Sequence, residues 1–237
     1  MDMPLLTSMI VKHAAVWHGD VEIVTHRVEG DMHRYTYADA YKRTCRLANA
    51  LKRLGIRPGD RVGTMAWTTY RHLELYYAIG GSGAVIHTIN PRLFHDQIEY
   101  IINHAKDRVM FLDTTWVEMM EGMQDKCPTI EKFIILCDSG KMPKTTLRNA
   151  VCFEDLLAAE DDTFDWPEFD EKTAVALCYT SGTTGNPKGV LYTHRGMVLH
   201  AIAGTSSDHP LCISSRTVLL PAVSMFHVHG WMAPYAA

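Results

Sequence analysis

The stretch from Tyr179 to Val190, YTSGTTGNPKGV, places small hydroxylated residues and three glycines around one lysine. Gly182, Gly185 and Gly189 can adopt positive φ, so successive backbone N–H groups can turn toward one bound anion. Hydroxyl groups and a lysine ammonium add further donors and a positive charge. These come from Thr180, Ser181, Thr183, Thr184 and Lys188. The pattern predicts a loop that binds a polyphosphate.

Other interpretations of this stretch are less satisfactory. The flanking segments AVALCY and GVLYTH read as strands, but a plain hairpin between them needs neither the lysine nor four hydroxyls. The common P-loop requires Gly before its lysine and Ser or Thr after it, whereas Pro187 and Gly189 stand here. A dinucleotide fingerprint also fails at 80–85, GGSGAV, which is predicted to end a helix instead.

A second group of residues that could do chemistry lies in SMFHVHGWMAPYAA, near the end of the chain. His227 and His229 are predicted to alternate on extended backbone, a spacing that can hold zinc if a third ligand joins them. The candidates for that ligand, His194 and His200, are near only in sequence. The alternative is that this segment packs a core, above all at Met225 and Phe226. The preceding TVLLPAV predicts a buried strand.

The elements that position both groups alternate between strand and helix. Thr36 and Asp39 predict a capping box at the start of a helix that ends at Gly55, after a hairpin near 29–31. Short apolar strands follow, predicted at 61–65, 84–89, 109–112 and 133–137, with helices between them. Thr193 predicts the cap of a helix after the loop. Strands buried on both faces are typical of a parallel sheet, so the predicted fold class is α/β with flanking helices.

The segment EDDTFDWPEFDEK is dense in acidic residues and is predicted to be a solvated connector without chemistry of its own. We therefore divide the chain into an N-terminal α/β subdomain at 1–159, an acidic connector at 160–172 and the start of a second subdomain at 173–237. The loop would belong to that second subdomain.

Composition excludes several classes of function. With 23 basic and 27 acidic residues the formal net charge is -4, which gives no reason to expect nucleic acid or an anionic membrane as a partner. Six cysteines show no CxxC pair, which favours a reduced, cytoplasmic setting. PLLTSMIVKHAAV is too short and too polar to span a bilayer, and predicts an amphipathic first helix.

YTSGTTGNPKGV closely resembles the AMP-binding signature of the adenylate-forming superfamily, which includes acyl-CoA synthetases, luciferases and the adenylation domains of peptide synthetases. RLGIRPGDRV and GAVIHTINPRL look like the large amino-terminal domain of synthetases that act on aliphatic acids, especially medium-chain acyl-CoA and methylmercaptopropionyl-CoA ligases. The resemblance covers nearly the whole chain.

The resemblance implies a reaction in two steps. ATP and a carboxylic acid give an acyl-adenylate, and CoA then displaces AMP. Residues of the loop would hold the β- and γ-phosphates, namely Thr180, Ser181, Gly182, Thr183, Thr184, Gly185 and Lys188. Thr184 would also meet Mg²⁺. Lys188 would be catalytic, as would His227 beside the acyl carbonyl, and Val228 and Trp231 would line an acyl pocket suited to short or medium chains.

The resemblance also implies that further parts of such an enzyme lie beyond this chain. No Asp, Glu, Lys or Arg occurs from Thr217 to Ala237. We therefore expect the amino-terminal portion of a longer ligase, with little turnover of its own, and a homodimer as seen among similar synthetases. Two alternatives stay open: an adenylating enzyme that does not use CoA, and a non-catalytic nucleotide-binding or oligomerisation module.

Overall fold

The computed structural model describes residues 3–180, 185–206 and 213–236, with the backbone alone at 231 and 232. Helices and strands alternate along most of it. The helices are α1 Thr7–Trp17, α2 Tyr37–Arg53, α3 Tyr70–Gly81, α4 His95–Ala105, α5 Val117–Glu121, α6 Phe153–Ala158, α7 His194–Gly204 and α8 Ala233–Ala236. The strands are β1 Glu22–His26, β2 Met32–Thr36, β3 Arg61–Met65, β4 Val85–Thr88, β5 Val109–Asp113, β6 Lys132–Leu136, β7 Val151–Cys152, β8 Ala174–Tyr179 and β9 Gly189–Thr193. Short 3-10 helices cover Thr114–Trp116, Gln124–Lys126 and Val228–Met232.

A seven-stranded sheet forms the centre of the molecule, with the order β7-β6-β5-β3-β4-β8-β9. All neighbouring strands are parallel except β8 and β9, which form an antiparallel pair. A separate antiparallel hairpin joins β1 and β2. The prediction of an α/β fold built on a mainly parallel sheet is confirmed.

Helices cover both faces of the sheet because successive strand residues point to opposite sides. Phe111 and Ile134 face a core shared with α1, α2, α3, α6 and α7. Met110 and Phe133, the residues just before them, face a second core shared with α4 and α5. The apolar strand runs are therefore buried on both faces, as a parallel sheet requires.

The start of α2 follows directly from local sequence. Thr36 accepts a hydrogen bond from the backbone N–H of Asp39, and the Asp39 carboxylate accepts one from the backbone N–H of Thr36 in return. The predicted capping box is confirmed, and so is the hairpin that precedes it.

The glycines at the end of α3 serve more than helix termination. Gly83 has a φ of +84°, as expected beyond a helix end, but Gly80 and Gly81 are still helical. A Cβ on Gly80 would lie 2.6 Å from a methyl group of Val175, and one on Gly81 would collide with the Trp166 ring. These two positions let α3 approach the sheet and the connector closely.

The acidic connector is anchored, contrary to the prediction of a fully solvated segment. Trp166 is buried, and its indole N–H donates to the Tyr41 hydroxyl at 3.1 Å. The connector leads into β8, which pairs with β4 in the same sheet as the earlier strands. The proposed division at 160–172 therefore does not coincide with a break in the sheet, and it stays a prediction.

The prediction that TVLLPAV forms a buried strand is wrong. Residues 217–223 form neither strand nor helix, and the side chains of Val218 and Leu220 are 96% and 88% exposed. A run of apolar residues does not show whether a strand is available for it to pair with. In the described part of the chain, the edge strand β9 pairs only with β8.

None of the described helices combines the length and apolar character needed to cross a bilayer.

Candidate functional site

The hydroxyl- and glycine-rich loop joins two antiparallel strands at the edge of the sheet. Tyr179 at the end of β8 is paired with Gly189 at the start of β9. Beyond that pair, the N–H of Thr180 donates to the Lys188 carbonyl at 3.0 Å, and the N–H of Lys188 donates to the Thr180 hydroxyl at 3.2 Å. These two bonds close the base of the loop at Thr180 and Lys188, a feature called the neck below.

Three predicted phosphate-binding residues are placed by the structure. Thr180, Gly185 and Lys188 are all exposed, and Gly185 has a φ of +148°, which favours glycine. Ser181, Gly182, Thr183 and Thr184 lie outside the described residues, and their roles remain predictions.

Gly189 has a different role from the one predicted. It is a strand residue and not one of the glycines with positive φ. A Cβ at this position would lie 3.2 Å from the Tyr179 ring. Glycine is needed here because an aromatic ring crosses the neck, not because the backbone must turn.

Tyr179 connects the neck to the helix α4. Its hydroxyl lies 2.7 Å from Nδ1 of His104. Burial, followed by the negative charge of Asp107, raises the pKa of Tyr179 to about 12. The hydroxyl therefore keeps its proton at neutral pH and can donate to His104.

A buried histidine and carboxylate lie beneath Tyr179. Nδ1 of His87 is 2.7 Å from the Asp107 carboxylate, and neither side chain is exposed. Burial raises the pKa of Asp107, and the His87 partner lowers it in part. The His87 ring lies 5.1 Å from the Tyr179 ring, centroid to centroid. Neither His87 nor His104 was predicted. The residues around them in the sequence carry no signal that they contact a loop more than 75 positions away.

The second predicted group does not lie on extended backbone. A 3-10 helix spans Val228–Met232, with φ of 45° at Val228 and 51° at His229. His227 has extended backbone and is exposed, whereas His229 is buried. The predicted alternation is wrong because the chain turns at 228–230, where Gly230 also has positive φ.

The two histidines therefore point to different environments. His229 packs edge-on against the rings of Tyr76 and Tyr192, and burial lowers its pKa to about 3. His227 and Val228 are exposed. Among the described residues there is no group of three or more His, Cys, Asp or Glu placed to hold a metal ion. The Trp231 side chain lies outside the described part.

The second group contacts the loop hairpin and the central strands. Tyr192, which packs on His229, belongs to β9. The backbone N–H of Met225 donates to the Thr68 hydroxyl at 3.0 Å, and Phe226 lies 5.9 Å from the Trp67 ring. The structure thus brings the two predicted groups to the same end of the sheet.

An aromatic cluster at the carboxyl edge of the sheet was not predicted. Trp67 follows β3 and Trp116 follows β5, and their rings are 5.3 Å apart. From β3 the chain passes to β4 on one side, and from β5 to β6 on the other, so these two strand ends form a switch point of the topology. Ligands of open α/β sheets bind at such crevices. The guanidinium of Arg92 lies over Trp67 and Phe226.

Comparison with known proteins identifies relatives across nearly the whole chain. The sequence model for the family described as AMP-binding enzyme matches residues 11–237. A 3-methylmercaptopropionyl-CoA ligase of Ruegeria lacuscaerulensis is 44% identical over 235 residues, which is 99% of this chain and 43% of that protein. A medium-chain-fatty-acid–CoA ligase of Ectopseudomonas oleovorans is 43% identical over 98% of this chain and 42% of its own length. The chain therefore spans less than half the length of these curated relatives.

Solved structures show the same fold. The inhibitor-bound N-terminal domain of FACL13 from Mycobacterium tuberculosis superposes with a TM-score of 0.81 at 25% identity, covering 99% of this chain and 55% of that one. FadD1 of Archaeoglobus fulgidus, a long-chain-fatty-acid-CoA ligase, gives a TM-score of 0.83 at 18% identity, over 99% of this chain and 46% of that one.

Proposed function

Because the chain belongs to the AMP-binding enzyme family, we propose that the full-length protein activates a carboxylic acid with ATP and transfers the acyl group to CoA. A carboxylate oxygen attacks the α-phosphorus of ATP, pyrophosphate leaves, and the acid becomes an acyl-adenylate. The thiolate of CoA then attacks the acyl carbon and AMP leaves. The adenylate is an activated anhydride, so neither step needs a nucleophilic side chain of the protein.

The observation that carries this proposal is the closed neck at Thr180 and Lys188. It brings the exposed Lys188 next to the exposed Thr180, and an ammonium group beside a hydroxyl suits the charged oxygens of a triphosphate. We assign the β- and γ-phosphates to Thr180, Ser181, Gly182, Thr183, Thr184, Gly185 and Lys188. Phosphoryl chemistry rests on positioning and charge neutralisation, which such a loop supplies. Mg²⁺ would share the charge, with the Thr184 hydroxyl as its protein contact.

The acid is proposed to bind beside the second group of residues. His227 and Val228 are exposed next to Phe226, which packs on Trp67 at the carboxyl edge of the sheet. We assign the acyl carbonyl to His227 and the acyl chain to Val228 and Trp231. The bulk of Trp231 and the names of two relatives, which act on medium-chain fatty acids and on 3-methylmercaptopropionate, favour a short or medium aliphatic acid. A cytoplasmic homodimer is the proposed setting.

The test is acid-dependent exchange of pyrophosphate into ATP by the full-length protein. Lys188→Ala should reduce the exchange rate at least tenfold, because one charge-assisted contact to the departing β- and γ-phosphates is lost. Lys144→Ala, a change of another exposed lysine, is the matched control. Exchange at the wild-type rate in Lys188→Ala would refute the assigned role. A second assay adds CoA or hydroxylamine after adenylation. Formation of acyl-CoA would identify CoA as the acceptor, whereas formation of the hydroxamate alone would point to an adenylating enzyme that does not use CoA.

A further inference from the structure

The phosphate loop is held from below by residues that lie outside it. Tyr179 directly precedes Thr180, the residue that forms one half of the neck. The ring packs over Gly189 on the opposite strand, where even a Cβ would lie only 3.2 Å away. The ring thus spans both strands of the hairpin where the loop begins and ends.

The far end of the Tyr179 side chain is bound to α4. Its hydroxyl lies 2.7 Å from Nδ1 of His104, and Tyr100, one turn earlier on the same helix, stacks on the His104 ring at 5.4 Å. α4 is firmly packed, since Ile98, Ile101 and Ile102 on its inner side are buried. α4 therefore provides a firmly packed base for the His104 side chain, which is itself exposed.

The inner face of the Tyr179 ring is fixed as well. His87 lies 5.1 Å from that ring and is itself held by Asp107 at 2.7 Å, and neither of these two side chains is exposed. Packing from His87, contact with Gly189 and the bond to His104 together restrain the Tyr179 side chain. The raised pKa of Tyr179 extends to higher pH the range in which its hydroxyl is protonated and can donate.

From this geometry we infer that Tyr179 and His104 are positioning residues that hold the neck formed by Thr180 and Lys188. A phosphate loop needs several donors that point to one ligand. If such a segment becomes ordered only on binding, the loss of conformational entropy reduces the affinity. A neck that is already fixed removes part of that cost. The consequence for ATP rests on the proposed function, whereas the anchoring of the neck does not.

The test uses four variants of the full-length protein. Tyr179→Phe and His104→Ala each remove the hydrogen bond, His104→Gln supplies an amide that can replace Nδ1, and His95→Ala changes another exposed histidine on the same helix. Hydrogen exchange reports opening at the amides of Thr180 and Lys188. Calorimetry with ATP and magnesium reports the dissociation constant, and urea unfolding checks overall stability.

The loss of one ordinary hydrogen bond corresponds to about a fivefold change. Tyr179→Phe and His104→Ala should therefore raise exchange at the two neck amides and the dissociation constant for MgATP about fivefold each. His104→Gln should stay within twofold of the wild type, and His95→Ala should change neither quantity. In the complete enzyme the KM for ATP should rise while the KM for the acid stays constant.

Two results would overturn the inference. One is unchanged exchange at Thr180 and Lys188 in both Tyr179→Phe and His104→Ala, which would mean that the neck does not depend on the bond. The other is faster exchange with an unchanged dissociation constant, which would mean that the anchor does not serve binding. Failure of the wild type to bind MgATP would contradict the proposed function instead, and the exchange data would still decide the anchoring.

Discussion

At the scale of single residues, Asp113 shows how burial sets the chemistry of the sheet edge. It ends β5 and accepts a hydrogen bond from the backbone N–H of Trp67 at 2.6 Å, which holds the turn after β3. Its side chain is almost completely buried. Burial raises its pKa from 3.8 to about 7, and the bond from Trp67 opposes only part of that rise. The carboxyl group titrates near neutral pH for this reason.

The raised pKa of Asp113 predicts a dependence of stability on pH. Between its unfolded value near 4 and its folded value near 7, the folded protein binds more protons than the unfolded chain. The stabilisation from this group is complete below pH 4 and is lost as the pH rises through 7. From pH 5 to pH 8 the free energy of unfolding should fall by roughly 2.5 kcal/mol through Asp113 alone.

Asp113→Asn removes the titrating group while keeping an oxygen for the Trp67 N–H. Urea unfolding at several pH values should give a flatter profile in this variant, with the difference from wild type concentrated between pH 5 and pH 8. Parallel profiles for the two proteins would contradict the raised pKa.

At the scale of elements, the close approach of α3 to the connector depends on the absence of one side chain. Gly81 lies in the last turn of α3 against the Trp166 ring, and Trp166 is held by Tyr41 on α2. Phe164 packs edge-on against the same indole at 4.9 Å. One glycine thus allows two helices and the connector to meet.

Gly81→Ala should lower the free energy of unfolding by about 1–3 kcal/mol, because the added methyl group must displace the indole. Gly122→Ala is the matched control, since Gly122 has a helical φ of -69° and its Cβ would make only ordinary contacts. That change should be neutral or stabilise by up to about 1 kcal/mol. Equal effects of the two substitutions in urea unfolding would rule out the packing explanation.

At the scale of the whole molecule, a network of ion pairs joins elements that are distant in sequence. Arg71 on α3 is buried and contacts three carboxylates on other elements. They are Glu29 at 2.7 Å, Asp138 at 2.5 Å and Glu154 at 3.0 Å. Arg43 on α2 binds Glu154 as well, at 2.9 Å. The β1–β2 hairpin, α2, α3, α6 and the chain after β6 are connected in this way.

Arg71→Met should lower the free energy of unfolding by about 3 kcal/mol, because it leaves several carboxylates together in a poorly hydrated site. Arg34→Met is the comparison: Arg34 and its partner Glu22 are 59% and 48% exposed, so their pair should contribute less than about 1 kcal/mol. If denaturant titrations show that Arg71→Met lowers the free energy of unfolding no more than Arg34→Met does, the network contributes little to stability.

Local sequence accounts for most of the fold and for only part of the site. The capping box at Thr36 and the strand at 61–65 are short-range features, and both were predicted correctly. The contact between Gly81 and Trp166, and that between Tyr179 and His104, join distant positions whose meeting depends on the whole fold. The turn at 228–230 was missed because a histidine alternation does not show where the backbone adopts positive φ. The exposed Val218 shows that an apolar run becomes a strand only beside a partner.

The most direct measurement is the affinity of the full-length protein for MgATP, titrated by calorimetry in the absence of acid. The wild type and the control Lys144→Ala should bind with similar dissociation constants. Lys188→Ala should bind roughly tenfold more weakly or worse, because a charge-assisted contact to the phosphates is gone. Equal affinities of Lys188→Ala and wild type would contradict the assignment of the 180–188 loop as the phosphate site.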